Sequence, residues 1–216
     1  IIYILGDNGS SAEGGPDGTM NENAGFNGVL PDIKQNLAVI EELGGPRHFN
    51  HFSAGWAHAM DTPFQWTKQV ASHFGGTRNP VIISWPARIK DKGGLRTQFS
   101  DISDIMPTIL EAAGIRAPDS LNGVKQKPLD GTSLVYTFDD ANAPDQRTRK
   151  MFEMFVNRGM YQDGWMAPSM AAVPWASERA GIDIDKTKWE LYNINEDFPQ
   201  ANDVAAKYPE KLKELQ

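Results

Sequence analysis

The sequence has no cysteine, which removes disulfides, thiolate metal sites and a cysteine nucleophile from these residues. It lacks a basic excess as well. The net charge is −7 and the isoelectric point about 5.1, so there is no electrostatic footprint for nucleic acid. No apolar run approaches the length of a membrane span. Only four histidines occur, and they do not form the two close pairs of a zinc site. No internal repeat or low-complexity stretch is present. What remains is a globular chain whose 40% hydrophobic content suffices for a sizeable core, in one domain or in one plus a smaller unit.

Its most informative stretch is the first, Ile1-Ile2-Tyr3-Ile4-Leu5-Gly6-Asp7-Asn8-Gly9. Five apolar residues predict a strand buried on both faces. The run breaks into a carboxylate, an amide and a glycine, and ligands of open α/β sheets bind just beyond the carboxyl ends of the strands. Asp7 and Asn8 both offer the oxygen ligands that a hard cation takes. Taken alone, the same nonapeptide also suits a strand followed by an ordinary Asx-Gly turn. The glycine-rich residues up to Gly28 lack the Lys-Ser/Thr ending of a P-loop, and Gly6 and Gly9 do not complete a dinucleotide fingerprint.

Further along, Leu30 to Leu43 is predicted helical, with Pro31 near its start and Gly44-Gly45 as its stop. His48, His51 and His58 fall in an aromatic, irregular segment and suit structural or supporting roles better than direct metal ligation. Phe64 to Phe74 is a second candidate helix, and Pro80-Val81-Ile82-Ile83-Ser84-Trp85-Pro86 a buried strand. Asp101 to Ala113 has apolar residues at helical spacing with Gly114 as the stop, and Pro107 would kink or restart it. This alternation of strand and helix is the rhythm of an α/β layer structure. Residues 118–150 are polar and proline-punctuated, a connection over the surface. After them come strand-like pieces at Met151 to Asn157, Gly159 to Trp165 and Trp189 to Ile194, then a helix from about Gln200 to the end. The chain opens inside a core-like strand and closes in a charged helical stretch, so we expect a piece of a longer protein.

Several stretches in order resemble the sulfatase family of the alkaline-phosphatase-like superfamily. They are Gly6-Asp7-Asn8-Gly9; Lys68 with Phe74-Gly75-Gly76-Thr77-Arg78-Asn79-Pro80; Trp85-Pro86; Asp104-Ile105-Met106-Pro107-Thr108-Ile109-Leu110; Leu129-Asp130-Gly131-Thr132-Ser133-Leu134; and Trp189-Glu190-Leu191-Tyr192-Asn193. Each is weak, but their order and spacing over nearly the whole chain are specific, and similar to the C-terminal part of large bacterial arylsulfatases.

The resemblance implies an α/β fold: part of an alkaline-phosphatase-like α/β sandwich over residues 1–117, a connecting segment over 118–144, and a small antiparallel β subdomain with a terminal helix over 145–216. It implies that Asp7 and Asn8 are ligands of a catalytic calcium, and that Lys68 contacts the sulfate as a point charge. It makes His73 a candidate to donate to the sulfate or to protonate the leaving group; packing is an equal alternative. One extra residue between Lys68 and the double glycine, and Phe74 where many members have Glu, depart from the family pattern. The family nucleophile is a formylglycine made from Cys or Ser in a C/S-x-P-x-R motif. Ser84-Trp85-Pro86-Ala87-Arg88 matches it literally, but it follows the Asp-Asn-Gly and Lys segments that the nucleophile normally precedes, and lacks the Thr-Gly that trails the motif. The nucleophile is therefore expected in a missing N-terminal part, a partner of this chain in the same protein, and the fragment alone is expected to be inactive. The implied substrate is a small-molecule sulfate ester and the implied compartment bacterial periplasm or cytoplasm. A phosphatase or phosphonate hydrolase of the same superfamily, or a non-catalytic module, are the alternatives.

Overall fold

The structure, a computed structural model, describes residues 8–29, 32–176 and 181–216. The expected opening strand, with Asp7 at its tip, lies outside the described residues. In chain order the described elements are α1 (Glu22–Phe26), α2 (Ile33–Ala38), α3 (Ala54–Asp61), α4 (Ile105–Ala113), β1 (Ser120–Leu121), β2 (Val124–Lys125), β3 (Arg149–Met154), β4 (Asn157–Gln162), β5 (Trp165–Ser169), β6 (Tyr192–Asn193) and α5 (Pro209–Leu215), with short 3₁₀ turns between. The chain divides into two compact units, Ile1–Pro80 with Arg149–Gln216, and Val81–Thr148.

The first unit is built on an antiparallel sheet in the order β3-β4-β5-β6. Asp163 (φ 48°) and Gly164 (φ 81°) form the two-residue link from β4 to β5, the pairing of residues that a type I′ hairpin turn favours. The β3–β4 link uses Phe155 (φ 51°) and Val156 (φ 67°), residues poorly suited to left-handed backbone. The Gly159 to Trp165 stretch expected as one strand is therefore split, because its Asp-Gly pair turns the chain. Ala167 of β5, Leu191 and Leu215 form a buried cluster, flanked by Met160, Trp189 and Leu212. Helix α5 starts at Pro209, whose missing N–H costs nothing at that position. It lays Leu212 and Leu215 on the sheet, and burying Leu215 contributes about 2 kcal/mol. The terminal helix is shorter than expected; Gln200 to Tyr208 forms turns instead.

Helix α2 begins at Asp32 with a capping box completed by Gln35, and gives way to a 3₁₀ turn after Ala38, so the expected Leu30 to Leu43 helix is only half present. Phe64 to Phe74 is not a helix. Trp66 and Gln69 both sit at positive φ, 66° and 75°, which no right-handed helix accommodates.

In the second unit, Asp101 to Ala113 matches expectation. A 3₁₀ turn with an Asp101 capping box leads into α4, and Gly114 ends it in the left-handed conformation at φ 66°. Pro107 is the third residue of α4, where its missing N–H breaks no helical bond, and no restart follows. The carboxylate of Asp104 is fully buried. It accepts from the Asp101 and Thr132 amides at 2.8 and 2.7 Å and is paired with the Arg147 guanidinium. Thr108 Oγ1 accepts from the Leu134 amide at 2.8 Å. The stretches 104–110 and 129–134 are thus stitched together. Val81 to Trp85 is not a strand: it pairs with none among the described residues and leaves Ile82 91% exposed.

Candidate functional site

The site is assembled by glycines. Gly9 has φ 88°, and a Cβ placed on it would lie 1.9 Å from the Gly75 carbonyl oxygen and 2.8 Å from the Lys68 amide nitrogen. Only glycine lets the Asn8-Gly9 backbone approach the Lys68 loop this closely. The double glycine is required for the same reason. A Cβ on Gly75 would meet the Trp66 carbonyl oxygen at 2.1 Å, and one on Gly76 the Val70 carbonyl oxygen at 2.5 Å. Two direct bonds complete the lock: the Lys68 amide donates to the Ser10 carbonyl at 3.1 Å, and the Ser10 amide to Asp61 Oδ1 at 2.7 Å.

The backbone beside Asn8 and the backbone of Lys68, two of the expected site residues, are thereby brought together. Asn8 is exposed, on the edge of a concavity of about 270 Å³ lined also by Gln69, Ala71, Gly76 and the Lys150 to Met154 run of β3. The Lys68 ammonium lies 2.9 Å from Glu13 Oε2, both side chains about a third exposed. Burial alone would raise the Glu13 pKa, but hydrogen bonds from Lys68 and Ser11 and the Lys68 charge outweigh it and hold the carboxyl below its ordinary value. Gln69 donates to the other Glu13 oxygen. Asp7, the other expected metal ligand, lies outside the described residues.

His73 is elsewhere in its chemistry. Its ring is 2% exposed, with Nδ1 2.9 Å from Ser72 Oγ and Nε2 3.2 Å from Glu190 Oε2. A carboxylate can only accept, so Nε2 carries a hydrogen and donates to Glu190, while Nδ1 faces the Ser72 hydroxyl. The Tyr192 hydroxyl donates to the same Glu190 oxygen at 2.7 Å. The His73 hydrogen bond is the chief reason the Glu190 pKa drops from 4.5 to about 2; burial opposes it, and Tyr192 and Lys188 add to it. Burial, aided by Glu190, raises the Tyr192 pKa. Ser, His and Glu in a row have the composition of a hydrolase triad, but Ser72 is fully buried and no substrate can reach its oxygen.

The loop from Gln65 to Arg78 rests on the far end of the chain. Gln200, fully buried, accepts from the Phe74 amide through Oε1 at 2.8 Å, and its carbonyl accepts from the Gln65 side chain. The Arg78 guanidinium stacks 4.0 Å from the Phe198 ring centre and 5.1 Å from that of Phe74. Sequence reading missed Glu13, Gln69, Glu190 and Gln200. Only Glu190 carried a signal, its place in Trp189-Glu190-Leu191-Tyr192-Asn193, and that named no partner. Of the other histidines, His48 pairs with Glu42 at 3.0 Å and His51 Nδ1 with the Phe52 carbonyl, both structural contacts. Ser84 and Arg88 belong to the other unit, where Arg88 is paired with Asp139.

As for a calcium ion, Asn8 provides a hard amide oxygen on a concave wall, which fits its donor chemistry. Among the described residues no three of His, Asp and Glu converge as a metal cluster, so a cation that takes six to eight oxygens would need further donors there. No described helix is long and apolar enough to cross a membrane.

Comparison with known proteins agrees with the family that the motifs resemble. A family model described as Sulfatase matches residues 1–115. An uncharacterized sulfatase of Schizosaccharomyces pombe is 26% identical over 226 residues, covering all of this chain and 36% of the relative. A crystal structure of Ps i-CgsB superposes with a TM-score of 0.50 at 18% identity, over 71% of this chain and 30% of that one, as does the same protein in complex with k-i-k-neocarrahexaose. The chain spans about a third of the length of these relatives. The likeness to Ps i-CgsB agrees with the expected α/β class, as do the small antiparallel sheet and the terminal helix. With more than half of its length matched by the family model, the chain belongs to the sulfatase family.

Proposed function

We propose that the whole protein carrying this chain is a sulfuric ester hydrolase, an arylsulfatase, and that the Asn8–Gly9 turn and the Lys68 loop form one wall of its sulfate pocket. The observation that carries this reading is the close packing of Gly9 onto Gly75 and the Lys68 amide. It places an amide oxygen and an ammonium on adjoining loops, the pair of features a sulfate and its counter-cation ask for. In this reading residues 1–117 belong to the main sulfatase domain, 118–144 connect, and 145–216 form the small subdomain.

Lys68 supplies three donors, of which Glu13 takes one. Its others can turn to sulfate oxygens, and Glu13 holds the ammonium in place while competing with the anion for its charge. Asp7 and Asn8 would contribute to holding calcium, with further donors from elsewhere in the whole protein. When bound, that cation neutralises charge on the sulfate oxygens during S–O cleavage. The formylglycine nucleophile is assigned to a segment preceding residue 1, in line with the family's order of motifs, and the isolated 216 residues are inactive. His73, buried with both ring nitrogens engaged, supports the loop and does not act on the leaving group.

The test is turnover of an aryl sulfate by the whole protein. We expect hydrolysis that chelation of divalent cations abolishes, and that Lys68→Ala lowers by about a hundredfold or more. Faster hydrolysis of an aryl phosphate than of the sulfate would move the assignment to a phosphatase of the same superfamily. Turnover by the 216 residues alone, lost in Ser84→Ala, would overturn the placement of the nucleophile.

A further inference from the structure

The Lys68 loop has no regular secondary structure beyond a 3₁₀ turn at Phe74–Gly76, so its geometry rests on irregular backbone bonds and on the side chains that grip it. His73 is its hub. The His73 carbonyl accepts from the Gly76 amide at 3.0 Å and from Thr77 Oγ1 at 3.1 Å, while its amide donates to the Val70 carbonyl at 3.1 Å. The turn that meets Gly9 is thus organised around one residue's backbone, and that residue's ring is gripped from two sides. Ser72 is its chain neighbour and moves with it. Glu190 is not: 117 residues away in sequence, on the strand-like run leading into β6, it is anchored by the Tyr192 hydroxyl and stands 3.6 Å from the Lys188 ammonium. The Trp66 and Tyr192 rings flank the imidazole at centroid distances of 6.3 and 6.4 Å, leaving it little room to turn.

We infer that Glu190 is a positioning residue of the site: acting through the His73 ring, it fixes the turn that sets Lys68 and Gly75 against Asn8–Gly9. Its carboxylate is the one charged group that reaches the buried ring from outside the loop, among the described residues. A charge-assisted bond is stronger and more directional than the neutral Ser72 contact on the other nitrogen. Loss of the charge frees the ring to re-orient, and the His73 carbonyl with it. The catalytic consequence rests on the sulfatase reading given above; the structural one does not.

Glu190→Gln, which keeps size and an acceptor oxygen but removes the charge, tests this in the whole protein. Hydrogen–deuterium exchange read by mass spectrometry should rise about tenfold over residues 71–78 and stay unchanged over β4 and β5. The kcat for an aryl sulfate should fall about ten- to a hundredfold, with KM changed far less. Glu190→Asp, which keeps the charge one methylene short, should lie between the two in both measurements, and it serves as the test variant if Glu190→Gln does not fold. Unchanged exchange over 71–78 in a folded variant, or an unchanged kcat, would overturn the inference. A wild-type protein that turns over no sulfate ester defeats the sulfatase reading alone, and the exchange comparison still decides whether Glu190 holds the loop.

Discussion

Gly9 and Gly75 touch backbone to backbone, so closely that a methyl group on the first would sit 1.9 Å from the carbonyl oxygen of the second. Gly9→Ala must therefore push two loops apart as well as strain a residue at φ 88°. We expect a loss of at least about 2 kcal/mol of stability, measured by chemical denaturation. A variant as stable as the parent would mean that the two loops are not locked in solution.

Acid should loosen the same region. The Glu190 pKa lies at about 2, against an ordinary 4.5, so the folded state binds that proton less readily than the unfolded chain. The stability it supplies is complete above pH 4.5 and is lost as the pH falls toward 2. Glu13 and Asp203, both lowered as well, act in the same direction. The difference in melting temperature between the parent and Glu190→Gln should accordingly be full at neutral pH and vanish between pH 4.5 and 2. A difference that persists at pH 2 would show that the charge is not its source.

In the second unit, Asp104 is fully buried and pairs with Arg147, whose side chain is 13% exposed. Asp104→Asn leaves a guanidinium unpaired and turns an amide N–H₂ toward donors, and should cost about 3–5 kcal/mol. Replacing both residues, Asp104→Asn with Arg147→Met, should cost less than the single change. Denaturation of the two variants side by side decides it.

The β3–β4 turn carries removable strain. Val156 is β-branched and sits at φ 67°, a conformation glycine adopts freely. Val156→Gly should raise stability by about 1 kcal/mol despite glycine's larger unfolded-state entropy. Thermal melting is the measurement, and a lower melting temperature would mean the valine side chain contributes more by packing than its backbone costs.

The parts of the molecule that were legible in advance are those decided within a few residues. The helix ending at Gly114 was readable because spacing, stop and apolar face all lie inside one window. The Val81 to Trp85 run read as a buried strand on composition, but a strand needs a neighbour to bond, and composition does not supply one. Phe64 to Phe74 has helical spacing; its course is set by contacts with Ser10, Glu190 and Gln200, which no local pattern records. The site followed the same division. Asn8 and Lys68 are candidates that motifs propose, whereas Glu13 and Gln200 are ordinary residues that contact the Lys68 loop only through folding.

Because the Lys68 loop leans on residues near the other end of the chain, its order depends on when those residues exist. During synthesis His73 leaves the ribosome 117 residues ahead of Glu190, an interval of roughly 6 to 23 s at about 5–20 residues per second. Until then the loop has its glycines but not its footing. A nonsense codon between Arg78 and Glu190 would leave Asn8, Gly9, Lys68 and Gly75 encoded and the loop without its supports.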